Sequence, residues 1–309
     1  MPENYDNLIE EFGQPAPEAP PPQYEGQQLS KEEFAAKMKA ERDSVSELAS
    51  NTGQEIAADG GKFGEYLKTL SRFERYSPQN TLLIYAQRPN ATKLGDYDYW
   101  KDVAKTPVTR GQTGFYIFEP GNEYKREDGT IGTSMNLKKM FDISQTSAKT
   151  KIQPEQSHDI RTLLKALMGN SPAPIKLVDT LSDNGVGALY NEQSNVIEVK
   201  KGLDGVSLFR CLSQEIAYAT LDHQNTDTLT CNDKGFTAYA ASYAICEKYG
   251  IDTKGYDFTD APERFEGMDG KEIRGEIKAI RDTVNDVAGR MAKDLNPPQR
   301  SEQEQGERA

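Results

Sequence analysis

Apolar residues recur at helical spacing near the start of the chain. Ser30, followed three residues later by Glu33, predicts a capping box that opens a first helix. Phe63, Leu67 and Leu70 repeat every three or four positions, which indicates a second helix. Helices are predicted over about 62–74, 159–168, 205–222, 234–249 and 270–294, with a shorter one from Ser77–Pro78 to before Pro89.

Short apolar runs bounded by turn residues predict strands between these helices. In the first half they are "GFYIFEP" and "GTIGTSMNLKKMFDIS", after a short helix at "DYDYWKDVA". In the second half they are "IKLVD" (175–179) and "GALYNEQSNVIEVKKG", with a turn at Asn191–Ser194. Because strands precede a pair of helices there, the pattern predicts an α+β fold.

Changes in composition predict two domains. Residues 1–29 are acidic and rich in proline, which is typical of a disordered arm. We expect a first domain over 30–146, a polar linker over 147–158, a second domain over 159–295, and a disordered tail over 296–309.

Charge and composition restrict the class of protein. The net charge of −12 argues against a protein that coats nucleic acid indiscriminately. Residues 62–126, however, hold 11 basic and 7 acidic side chains, so a basic patch is compatible with the first domain. Three cysteines without a C-x-x-C pair, no apolar run of membrane length and no signal-peptide pattern predict a cytoplasmic protein without a membrane partner.

The stretch "CLSQEIAYATLDH" (211–223) has the outline of a metallopeptidase helix. The zinc signature His-Glu-x-x-His places two imidazoles one helical turn apart, with the glutamate acting on the bound water. Here Gln214 and Tyr218 occupy the two ligand positions, and both are poor zinc ligands, while Glu215 keeps the position of the base. From the residues alone, the stretch is better explained as a helix that packs apolar side chains into a core: Leu208, Leu212, Ile216 and Ala219.

The surrounding sequence adds a resemblance. Residues 171–221, together with "AYAASYAICEKYGIDTKGYDF", resemble the metallopeptidase-like domain of ArdC-type antirestriction proteins and their LtrC-like relatives on conjugative elements. The resemblance implies a zincin-like scaffold and places a third ligand position at Tyr239. With Gln214, Tyr218 and Tyr239 at all three positions, we expect a pseudopeptidase domain without metal, cofactor or catalytic residue. We further expect Glu215 to make a buried hydrogen bond to Tyr218 or Tyr239.

The first half resembles the N-terminal domain of the same family. The matching pieces are "RYSPQNTLLIYAQRP", Trp100, the glycine turn of Val108, Gly111 and Gly114, and "FDISQT" (141–146). The resemblance implies that this domain binds single-stranded DNA.

The residues support such binding independently, since single strands are bound by aromatic platforms beside cations. Several aromatics of the stretch must be core: we expect Phe63, Phe73, Phe115 and Phe118 there, and Trp100 either in the core or stacking on a base. The predicted contacts are Arg72, Arg75, Tyr76, Asn80, Tyr85, Arg88, Lys93, Trp100, Lys105, Arg110, Lys125 and Arg126. The same stretch also holds Tyr97, Tyr99 and Tyr116.

The expected function is therefore protection or handling of transferred single-stranded DNA for a mobile element, by occupancy rather than chemistry. A protein of the transfer or restriction machinery is a possible further partner. One alternative is a metallopeptidase with relocated ligands, using Glu215, His223 and Asp222 or Asp227. The other is a protein-interaction module that does not bind DNA.

Overall fold

The computed structural model describes residues 30–126, 128–148, 158–169, 171–183, 185–224 and 233–296. The predicted arm (1–29), almost all of the linker (147–158), the tail beyond residue 296 and Asp227 lie outside these residues. The helices are α1 (Lys31–Ala57), α2 (Gly60–Arg72), α3 (Pro78–Gln87), α4 (Ile160–Gly169), α5 (Gly205–His223), α6 (Lys234–Tyr249), α7 (Ala261–Arg264) and α8 (Gly270–Leu295). The strands are β1 (Leu94–Gly95), β2 (Phe115–Lys125), β3 (Ile131–Asp142), β4 (Ile175–Val178), β5 (Ala188–Asn191) and β6 (Val196–Lys200).

Local signals start the first helices where they were predicted. Ser30 Oγ accepts from the Glu33 N–H (3.2 Å) and the Ser30 N–H donates to Glu33 Oε2 (2.8 Å), which is the capping box. Ser77 caps α3 through the Asn80 N–H, and Pro78 is the first residue of that helix. The short helix predicted at "DYDYWKDVA" is a π-helical turn, Tyr99–Val103.

The chain divides into two compact units, and the division falls within α1, between Glu41 and Arg42. The described part of the first unit is residues 30–41, in which Phe34 is exposed. Everything else belongs to the second unit. None of the described helices is long and apolar enough to cross a membrane.

The first sheet has the order β1-β3-β2 and is antiparallel throughout. A bulge interrupts the pairing of β2 and β3 between Pro120 and Glu123. Beyond this bulge the two strands form an arm whose side chains are mostly exposed, up to the turn at Gly129. At the base of the hairpin, Phe115 and Ile117 pack with Phe73 in a small apolar cluster.

The second sheet has the order β4-β6-β5, with β4 parallel and β5 antiparallel to β6. Helix α5 packs against β5 and also against α4, α6 and α8. The two small sheets and the helices together form the predicted α+β fold.

The main core joins residues from both halves of the sequence. Phe63 on α2 lies 5.6 Å from Phe236 on α6, 5.3 Å from Phe258 and 5.4 Å from Phe265, as measured between ring centroids. Phe118 lies in the same core, so all four phenylalanines that the sequence placed in the interior are buried. This core contains residues from both sides of the predicted boundary near residue 150. The division into two domains there therefore stays a prediction.

Candidate functional site

Helix α5 carries two of the positions at which the sequence predicted a degenerate metal site, on its half-buried side. Asp204 caps the helix by accepting from the Val206 and Ser207 N–H groups. Leu212 and Ile216 are fully buried and fix the rotation of the helix about its axis. The predicted packing face is therefore confirmed, and this rotation leaves Gln214, Glu215 and Tyr218 half-buried.

Glu215 contacts the backbone of the neighbouring strand. Its Oε2 accepts from the Tyr190 N–H on β5 at 2.8 Å. The expected hydrogen bond to Tyr218 or Tyr239 was therefore wrong in its partner. The reason is that α5 packs on β5, the outer strand of the second sheet, where the Tyr190 N–H points away from β6. Burial raises the pKa of Glu215, and the hydrogen bond from Tyr190 only partly offsets that effect.

The two tyrosines at the predicted metal positions each form a hydrogen bond with another residue of the protein. Tyr218 donates its hydroxyl to Glu192 Oε1 at 2.8 Å, and burial together with Glu192 raises its pKa to about 12. The Tyr239 hydroxyl accepts from the Asp257 N–H at 2.8 Å, and its ring packs against Tyr256. Tyr218 keeps its proton at neutral pH, and both hydroxyls are already engaged in hydrogen bonds with protein groups. Neutral phenols in such bonds are poor ligands for a divalent ion.

The residues of the relocated-ligand alternative form a separate polar cluster. Asp222 Oδ1 lies 2.6 Å from Lys234 Nζ, and its Oδ2 accepts from the Tyr190 hydroxyl at 3.0 Å. Lys234 and Tyr190 both lower the pKa of Asp222. His223 Nε2 lies 2.8 Å from Asn195 Oδ1. Across the part of the chain that the structure describes, no three His, Cys, Asp or Glu side chains are grouped to hold a metal ion.

Two of the predicted DNA contacts are buried and support the fold. Asn80 donates Nδ2–H to the Phe118 carbonyl (2.7 Å) and accepts from the Phe118 N–H (2.8 Å). Trp100 is 1% exposed and donates Nε1–H to the Phe141 carbonyl at 2.9 Å. Neither side chain is accessible to a strand of DNA. Trp100 therefore packs in the core and does not offer its ring for stacking on a base.

Four other predicted contacts are partly engaged in packing. The Arg72 guanidinium donates to the Pro89 carbonyl, although the residue as a whole is exposed. Tyr76 packs edge-on against Phe73, and Tyr85 packs edge-on against Tyr66. Arg88 is half-buried at the end of α3.

The remaining predicted cations are exposed on two surfaces. Lys93, Lys105 and Arg110 belong to the segment between α3 and β2, while Arg75 follows α2. Lys125 and Arg126 lie on the arm of the β2–β3 hairpin. There they line an open hollow of ≈ 480 Å³ together with Tyr124 and Asp128.

Sequence reasoning missed Lys139. It is exposed on β3 opposite Tyr116 of β2, and its Nζ lies 5.6 Å from the centre of the Tyr116 ring. Lys93 stands over the Tyr99 ring in the same way, at 6.0 Å. Lys139 follows the basic stretch 62–126 and is therefore not among its cations. Strand alternation could have identified it, because Lys138 and Lys139 are neighbours on one strand and must point to opposite faces of the sheet.

The fold and these sites define an α+β protein in which helices pack around two three-stranded sheets. Its fold is similar to that of the antirestriction ArdC protein from the R388 plasmid. The Mn(II)-bound crystal structure of that protein matches with a TM-score of 0.54 and 15% identity, over 79% of this chain and 98% of that one. Its metal-free crystal structure matches with a TM-score of 0.47 and 14% identity, over 71% and 86% of the two chains.

Sequence comparison gives a distant relative. An uncharacterized protein of Bacillus anthracis, pXO2-81, is 24% identical to this chain, and the match covers 79% of the chain and 50% of that protein. The chain thus spans about half the length of this relative. No protein-family model matches the chain.

Proposed function

We propose that this protein binds single-stranded DNA and serves a mobile element in antirestriction, shielding the strand by occupancy. The observation that carries the proposal is the pairing of exposed lysines with tyrosine rings: Lys139 with Tyr116, and Lys93 with Tyr99. Both rings are half-buried, and aromatic rings beside cations are the arrangement that binds unpaired bases and phosphates together. The antirestriction role is taken from the R388 protein that shares this fold.

Single-stranded rather than duplex DNA fits the charge of the molecule. Duplex binding without sequence preference depends on many phosphate contacts, and a chain with net charge −12 opposes a large basic surface. Stacking on aromatic rings adds a contribution that does not depend on charge, but a base is available for it only when unpaired.

We propose further that the α5–α6 region is a metallopeptidase-like scaffold that no longer acts as a peptidase. The support comes from the two phenols, which have non-metal partners in Glu192 and Asp257, and from Glu215, whose carboxylate accepts from the strand backbone. A glutamate without a metal-activated water has no nucleophile to deprotonate.

The binding part is tested by titrating labelled oligonucleotides, single- and double-stranded and of equal length, with the purified chain at low salt. We expect saturable binding of the single strand and weaker binding of the duplex. No binding of either at low salt would contradict the proposal and favour a protein-interaction module. Equal binding of both would contradict the role of stacking.

The scaffold part is tested by elemental analysis of the purified protein, with Glu215→Gln and His223→Ala as variants. We expect no stoichiometric Zn²⁺ or Mn²⁺ in any of the three proteins. A stoichiometric metal that either substitution removes would establish the relocated site and overturn the pseudopeptidase assignment.

The antirestriction part is tested in cells, by introducing unmodified DNA into a restricting host with and without the protein. We expect more of the incoming DNA to survive when the protein is present. Protection that persists in variants without DNA binding would show that the chain acts on a protein of the restriction machinery instead.

A further inference from the structure

Aromatic and cationic side chains form a continuous line across one face of the first sheet. The exposed Tyr97 ring packs against Phe141, with ring centroids 6.5 Å apart. Phe141 and Lys139 are two positions apart on β3 and therefore share a face, and Lys139 extends over the Tyr116 ring. We call the side chains of Tyr97, Phe141, Lys139 and Tyr116 the Tyr97–Tyr116 strip.

The absence of a side chain at Gly114 lets the loop before β2 lie directly against Lys139 and Phe141 of the strip. A Cβ atom at this position would lie 2.8 Å from Lys139 Cγ and 2.9 Å from Phe141 Cζ, which is closer than real Cβ contacts come. The loop before β2 therefore runs directly against the strip. This loop also carries the exposed Arg110.

Both ends of the strip stand on fixed backbone. The Tyr116 N–H donates to Gln87 Oε1 (3.1 Å), and the Tyr116 carbonyl accepts from Gln87 Nε2 (2.9 Å). At the other end, Trp100 donates a hydrogen bond to the carbonyl of Phe141, whose ring packs against Tyr97. A surface held in this way loses little conformational entropy when a ligand binds.

The charge next to the strip favours an anion. Lys138, on the opposite face of β3, is paired with Asp96 and Glu119, each at 3.0 Å, and so offsets one of these two negative charges. Lys139 has no carboxylate within ion-pair distance among the described residues, and its ammonium faces an aromatic ring.

We propose that the Tyr97–Tyr116 strip is the path of the bound single strand, with bases stacked on Tyr97 and Tyr116 and the intervening phosphate at Lys139. The inference rests on the proposed DNA-binding function and adds the location of the binding surface. The competing surface is the hairpin arm, where Tyr124 is equally exposed, at 51% each for Tyr124 and Tyr97. There Lys125 and Arg126 share their hollow with Asp128, which offsets part of their charge.

The test compares matched variants of the two surfaces in the full chain, using a fluorescent oligothymidylate as the probe. Tyr97→Ala and Tyr116→Ala are each expected to weaken binding roughly 5- to 150-fold, the loss of one stacked base. Lys139→Gln is expected to lower the salt slope by about 0.7, the loss of one phosphate contact. Tyr124→Ala and Lys125→Gln on the arm are expected to change affinity less than about twofold.

Conservative variants separate binding from folding. Tyr97→Phe and Tyr116→Phe keep the ring and are expected to retain native affinity, while circular dichroism and melting temperature confirm that the alanine variants are folded. If Tyr116→Ala does not fold, photo-crosslinking of an iodouracil-substituted oligonucleotide to the native chain decides the matter. Crosslinks at Tyr97 and Tyr116 support the strip.

The outcomes separate this inference from the proposed function. Failure of the native chain to bind the oligonucleotide defeats both. Normal binding by the native chain with losses only in the arm variants, or crosslinks only at Tyr124, overturns the strip and leaves the function standing. Equal losses on both surfaces also overturn it, because the strip would then not be the site.

Discussion

The side-chain amide of Asn80 takes the hydrogen-bonding place of a neighbouring strand. It satisfies both backbone groups of Phe118, and Gln87, two turns further along α3, satisfies both backbone groups of Tyr116. These are the outward-facing groups of β2, which is the edge strand of its sheet. From sequence, the two amides look like ordinary polar surface residues, and only their partners show otherwise.

Replacement of Asn80 by alanine is therefore expected to destabilise the protein by about 2–4 kcal/mol, because a buried N–H and a buried C=O lose their partners. Urea denaturation measures the change, and Asn285→Ala on the exposed side of α8 is the control, expected to stay within about 0.5 kcal/mol. At a temperature where Asn80→Ala is folded, its oligonucleotide affinity should be native. A selective loss of affinity with native stability would restore Asn80 as a DNA contact.

Glu215 has a raised pKa in the folded state, so ionisation opposes folding. Between the unfolded and folded pKa values the folded protein holds the additional proton, and its stability falls as the pH rises through that window. Glu215→Gln stays neutral and can still accept from the Tyr190 N–H. We expect the stability of this variant, relative to the native protein, to improve as the pH increases from 4 to 8, as measured by melting temperature. A relative loss over the same range would show that the carboxylate is stabilised by the fold.

At the scale of elements, the β2–β3 hairpin meets different neighbours along its length. Near its base, Phe118 lies in the main core and Ile117 in the smaller cluster, while Lys139 on β3 is exposed. Short apolar runs and turn residues predicted its two strands, but not their pairing. The close approach of the loop at Gly114 was not predictable, because it depends on two side chains about 25 positions later in the chain.

Gly114→Ala tests this approach. The added methyl group would meet Lys139, the Met140 carbonyl and Phe141, so we expect a loss of about 1–3 kcal/mol in the free energy of unfolding. Gly289→Ala, in α8 with nothing within 4 Å, is expected to stabilise by about 0.4–1 kcal/mol. Thermal denaturation of both variants provides the comparison. Equal effects of the two substitutions would mean that the loop does not press on the strip.

At the scale of the whole molecule, a net charge of −12 coexists with a local excess of cations in residues 62–126. Binding through a small basic patch should release few counterions. With three to five phosphates contacted, the logarithm of the affinity should fall with the logarithm of salt concentration at a slope of roughly −2 to −3.5. Titrations at 50 and 200 mM salt should thus differ by roughly 10- to 100-fold. A salt-independent affinity would rule out phosphate contacts as a main source of binding.

The sequence by itself determined the longer helices, the caps at Ser30 and Ser77, the two strands of the hairpin and the four core phenylalanines, because caps, periodicity and short apolar runs are properties of neighbouring residues. Through the resemblance it also predicts that Gln214, Tyr218 and Tyr239 stand at metallopeptidase ligand positions, which stays a prediction. Only the tertiary structure decided the partners of Glu215, Asn80 and Trp100, all of which lie 25 or more positions away in the chain. An amide or an indole has the same local pattern whether it meets a backbone carbonyl or a ligand, and the packing of distant elements determines which of the two it meets.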